Sequence, residues 1–149
     1  MVTVKISEEG KLKKFRNITD AKIRKVVKKC CELLELDNVL INIILTDNKR
    51  IHVINRDYRS KDRPTDVISF AYREEPFPQP AKGKENLGDI FLSLEQAELQ
   101  RVEYGVTFIE ECERLLIHSV LHLVGYDHER SKKDEKIMRA KEDWILERL

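Results

Sequence analysis

"LLIHSVLHLV", residues 115 to 124, contains no charged side chain. The chain as a whole is 37% charged, so ten such residues in a row are set apart from their surroundings. The hydrophobic residues leave no polar face, and a helix apolar all round lies inside a protein. Working outward, helices are expected at about 95–103, 107–124 and 131–148. Upstream, "VTVKI" at 2–6 alternates with period two and reads as a strand. Thr19 or Asp20 caps a helix running to about Leu36, whose stripe is Ile23, Val26, Val27, Cys30, Leu33 and Leu34. "VLINIIL" at 39–45 is a covered strand, and 46–59 a second helix with Ile51, Ile54 and Tyr58 at helical spacing. Pro64 breaks the chain. "TDVISFAY" at 65–72 and "DIFLSL" at 89–94 read as antiparallel neighbours, joined by a proline-rich loop over 73–88. The order β-α-β-α-β-β-α-α-α implies an α+β (mixed α/β) fold, one domain over residues 1–149. A four-stranded mixed sheet would pack with about five helices.

Composition narrows the function. No apolar run approaches the ~18 residues a membrane helix needs, and the start, "MVTVKISEEG", has no secretory pattern. A cytoplasmic protein without membrane association is expected. Cys30, Cys31 and Cys112 are odd in number and lack CxxC spacing, so they read as small core residues. A net charge of +1 gives no global basic field. Basic clusters are local, at 11–16, 22–29 and 56–63; the second reads as a solvated helix face.

Three of the chain's four histidines fall within residues 118–128, "HSVLHLVGYDH". His118 and His122 are one helical turn apart on one face. Gly125 can end the helix in a left-handed conformation, after which His128 can fold back. Buried imidazoles need partners, since an unpaired polar group costs on the order of 1–3 kcal/mol, and a metal ion satisfies all three. Three neutral nitrogens fit Zn²⁺ with its fourth position open, the layout of a catalytic site, although Ni²⁺ would accept the same ligands. Their neutrality leaves the dication charge free for an anionic substrate. Bound water at such a site titrates near pH ~7 and is the favoured nucleophile over a substrate hydroxyl. His52 stands alone and reads as structural.

The segment nearly matches the metalloprotease pattern H-E-x-x-H-x-x-G-x-x-H, except that Ser119 stands where the glutamate base belongs. Asp127, beside the third histidine, is expected to orient an imidazole from behind or to take some base duty.

"HSVLHLVGYDH", with "NRDYRSKDRPTDVISF" at 55–70 and "LGDIFLS" at 87–93, resembles the YbeY family of bacterial endoribonucleases. The blocks occur in the family's order and the resemblance covers nearly the whole chain. It implies that His118, His122 and His128 bind zinc and that Arg59 acts near the metal. It also implies a single-stranded RNA substrate and a role in ribosomal RNA maturation and small-subunit quality control. Arginine suits the task, because its planar fork matches two phosphate oxygens and keeps its charge. Lys61 and Arg63 are further phosphate candidates; Asp66 would steady either Arg59 or the strand entry. The competing readings are a metalloprotease-like metal hydrolase and a non-catalytic, zinc-stabilised ribosome assembly factor.

Overall fold

The computed structural model describes residues 1–74, 78–79 and 83–149. Its elements are β1 (Thr3–Glu9), α1 (Asp20–Leu33), β2 (Val39–Thr46), α2 (Asn48–Arg59), β3 (Val67–Ala71), β4 (Glu85–Ser93), α3 (Leu94–Tyr104), α4 (Phe108–Leu123) and α5 (Lys132–Leu146). The strands form one sheet in the order β1-β2-β4-β3. β1 and β4 run parallel to β2, and β3 runs antiparallel to β4. Among the described residues this is the expected four-stranded mixed sheet, with five helices where about five were expected.

Strand alternation divides the side chains between the two faces. Val67, Ala71, Ile90 and Leu92 join the large core with α1 and α4. Ile68, Phe70 and Phe91 turn the other way and pack with Ile51 and Ile54 of α2. The helix α4 is the hub, touching α1, α3, α5, β3 and β4, which accounts for its uncharged stretch. A side-chain oxygen caps each helix N-terminus: Thr19, Asp47, Ser93, Thr107 and Ser131 each accept a backbone N–H two or three residues into the helix. At α4 the cap is reciprocal, with Glu110 reaching back to the Thr107 N–H.

Two boundaries differ from expectation. α1 stops at Leu33, and Glu35 is left-handed with φ 57°. Leu36 still packs on the core, so the apolar period carries on past the last helical turn. β4 begins at Glu85, four residues before the expected 89. The register between β2 and β4 shifts after Leu40, so that Leu40 pairs with Asn86 and Ile41 with Gly88. Leu87 is the extra residue, and Gly88 follows it: at φ +137° Gly88 lies close against β3, where a Cβ would stand 1.9 Å from the Phe70 carbonyl oxygen. A glycine that reads as a loop residue here serves a β-bulge. The inner part of the expected 73–88 loop, at 75–77 and 80–82, lies outside the described residues. No helix among the described residues is long and apolar enough to cross a membrane.

Candidate functional site

α4 ends at Leu123, and Gly125 at φ +105° turns the chain. The Tyr126 N–H then bonds the Leu121 carbonyl at 3.1 Å, while its ring packs on the core. That anchored turn returns His128 to the face already carrying His118 and His122. The ring centroids form a near-equilateral triangle, 5.4 Å (His118–His122), 5.1 Å (His118–His128) and 5.4 Å (His122–His128). One nitrogen from each ring lies within 4.8 Å of the others.

The ring environments fit a metal ion. Nδ1 of His118 is hydrogen-bonded to the Glu142 carboxylate of α5, which leaves Nε2 as the nitrogen that could take a metal. Nδ1 of His128 is buried without a hydrogen-bond partner among the described residues. Burial, and then the neighbouring His118 and His128 rings, pull His122 below the ordinary imidazole pKa. It is thereby held neutral, the form a metal takes. Three imidazole donors, half-buried at the wall of a cleft, suit zinc with a position left open, and nickel or copper would accept the same set.

The cleft, about 560 Å³, is lined by all three histidines together with Arg59, Lys61, Arg63, Asp66 and Arg114. Arg59 is the last residue of α2; Ser60 follows in a left-handed conformation, φ 57°, and reverses the chain. Asn55, buried in α2, donates from Nδ2 to the Arg63 carbonyl at 2.9 Å and fixes the segment that carries Lys61 and Arg63. The structure therefore brings the basic "RDYRSKDR" stretch to the histidines. Arg59 Nη2 stands 4.0 Å from Glu129 Oε1, which is itself 3.8 Å from His128 Nε2. An anionic oxygen thus already sits between the arginine and a ring of the cluster.

Asp127 also lines the cleft. Its hydrogen bond, however, comes from the Glu129 N–H at 2.8 Å, and its ion pair is with Arg130 at 3.5 Å. That backbone donor first, then the charges around it, hold its carboxyl below the usual range. The carboxylate bonded to a ring of the cluster is Glu142, which the sequence reading did not single out. Asp66 serves the strand entry, accepting from the Val67 N–H at 2.7 Å, with its own carbonyl accepting from Ser93 N–H at 2.8 Å. His52 pairs with Asp62 at 2.7 Å and is no part of the cluster. Arg114, one turn before His118 on α4, lines the same cleft, and the sequence reading did not single it out.

A family profile described as Endoribonuclease YbeY matches residues 5–149. A relative of that name from Persephonella marina is 46% identical over 134 residues, covering 90% of this chain and 86% of its own. Another from Aquifex aeolicus is 40% identical over 139 residues, covering 93% and 89%. A solution structure of a Thermotoga maritima protein superposes with a TM-score of 0.61 at 32% identity, over 97% of this chain and 87% of that one. With the histidine triangle and its basic cleft falling inside the matched residues, the chain belongs to the endoribonuclease YbeY family.

Proposed function

We propose that this chain is a single-domain, zinc-dependent endoribonuclease that cuts single-stranded RNA. Its place is the cytoplasm, in ribosomal RNA maturation and quality control of the small ribosomal subunit. The observation that carries the reading is that three imidazoles and three cations of the "RDYRSKDR" stretch line one cleft. A nuclease needs both: a metal site beside the scissile phosphate, and positive charge to hold a polyanion there.

His118, His122 and His128 would hold the zinc. When bound, the ion supplies Lewis-acid stabilisation to charge building on a phosphoryl oxygen. The chain's own residues do the rest. Arg59 presents its fork to the scissile phosphate and stabilises the transition-state charge, displacing Glu129 from its neighbourhood as it does so. Lys61 and Arg63 hold flanking phosphates. Asp127 keeps the 125–129 turn in shape through the Glu129 N–H and adds negative potential beside His122 and His128. Glu142 fixes the tautomer and direction of the His118 ring.

The test is incubation of the purified chain with a labelled single-stranded RNA, a double-stranded RNA and casein, with and without a chelator. Cutting of the single strand alone, lost with chelator and restored by zinc, is the expected result. A His122→Ala protein purified in parallel excludes contaminating nuclease. Cleavage of casein would favour a metal hydrolase of proteins, and RNA binding without cutting an assembly factor.

A further inference from the structure

Arg114 lines the main, basic cleft and also a smaller adjoining recess of about 280 Å³, which it shares with His118, His128 and the carboxylates Glu135, Glu142 and Asp143; the side suited to an anion is that of the main cleft. Its Nε and Nη2 donate to the two carboxylate oxygens of Glu111, both at 2.9 Å. Glu111 is only 1% exposed. Gln100 Nε2 donates to Glu111 Oε2 at 2.7 Å and to Asp66 Oδ2 at 3.3 Å, so the carboxylate is braced from α3. The Arg114 guanidinium also lies over the Tyr104 ring, 5.8 Å from its centroid.

An ordinary surface ion pair is loose and contributes little. This one has one partner sealed in the core, a bidentate geometry and a second brace, so the guanidinium plane is fixed. Glu111 uses one edge of the fork. The other edge, at Nη1, has no hydrogen-bond partner among the described residues, on a side chain that remains 36% exposed. An arginine held by a buried carboxylate, on a part-exposed side chain that lines a cleft, is preorganised for a second anion.

Resting on the RNA reading above, we propose that Arg114 is a second phosphate-binding arginine, contacting the backbone phosphate next to the scissile one. Arg59 reaches the cleft from α2 and Arg114 from α4, one turn before His118, so the RNA is held from two elements. Arg114 makes this contact equally in the bound and reacting states. Its loss therefore raises KM more than it lowers kcat, unlike the loss of Arg59.

The experiment measures the Kd of a short labelled single-stranded RNA against KCl, from about 50 to 200 mM. It uses the metal-loaded protein and its Arg114→Gln variant, with kcat and KM taken alongside. Gln can still donate to Glu111 while removing the charge. The expected result is a log Kd–log salt slope smaller by about 0.7, the value of one phosphate contact on a single strand, with KM raised several-fold and kcat within about twofold. A folded Arg114→Gln protein with the wild-type slope and KM overturns the proposal. If Arg114→Gln does not fold, Arg114→Lys keeps a cation beside Glu111; several-fold weaker RNA binding by the folded, metal-loaded variant is expected, and wild-type affinity overturns the proposal. Failure of the unaltered chain to bind or cut single-stranded RNA would instead sink the underlying RNA reading.

Discussion

The Ser119 hydroxyl donates to the Leu115 carbonyl oxygen at 2.8 Å, inside the core. Ser119 is 0% exposed, so the position that carries glutamate in the metalloprotease pattern here faces packed side chains. Ser119→Glu is therefore expected to bury a carboxylate without a partner and to cost on the order of 3 kcal/mol or more. It should yield no casein cleavage. Ser119→Ala should cost about 1 kcal/mol and leave RNA cleavage intact. Thermal unfolding and both activity assays check this; a stable, proteolytic Ser119→Glu protein would contradict it.

Glu142 makes a second prediction. Without its carboxylate, His118 loses the bond that sets ring orientation and tautomer. Glu142→Ala should weaken zinc binding by roughly 10–100-fold, measured by competition with a chromophoric chelator, and Glu142→Gln by less. Unchanged affinity in Glu142→Ala would show that the ring is held by other contacts.

On the proposed function, Arg59 handles substrate and takes no part in metal binding. Arg59→Ala should keep zinc content and melting temperature while kcat/KM on RNA falls by about 10²-fold. Arg59→Lys should recover only part, since an ammonium cannot make the forked contact. Full activity in Arg59→Ala would return this residue to the surface.

The thiols give a pH-linked prediction. Burial pushes Cys31 and Cys112 up to about 12 and raises Cys30 as well. In the unfolded chain they titrate near 9.0. A raised folded value means that the stability from these neutral thiols is complete below pH 9.0 and is lost as pH rises from there toward about 12. At neutral pH the native protein should resist a thiol reagent, and all three cysteines should react in guanidinium. Rapid labelling of the native protein would contradict their burial.

What was readable in the sequence follows the range of the interactions. The histidine triangle is local: an i,i+4 pair, a glycine and a short turn determine it, and the spacing alone was enough. The strands Val39–Thr46 and Val67–Ala71 were visible in their β-branched residues. β4 was read four residues short because the reason for Gly88 is the Phe70 backbone on a neighbouring strand. Glu142 lies 24 residues from His118 on another helix, and nothing in its own segment marks it among many exposed glutamates. The Glu111–Arg114–Gln100 network depends on how α3 packs beside α4, so its members read as ordinary surface residues. Asp127 was expected to orient an imidazole or share base duty; the donor it binds instead, the Glu129 N–H, exists only once the turn has formed.

On the proposed function, RNA cleavage depends on metal held by His118, His122 and His128. The most direct measurement is the initial rate of single-stranded RNA cleavage as zinc is added back to chelator-treated protein, for the unaltered chain and for His118→Ala, His122→Ala and His128→Ala. The rate of the unaltered chain should rise from near zero and break at a single equivalent of zinc per chain, and the three variants should stay near zero throughout. A rate indifferent to zinc, or a histidine variant that titrates like the unaltered chain, would contradict the account.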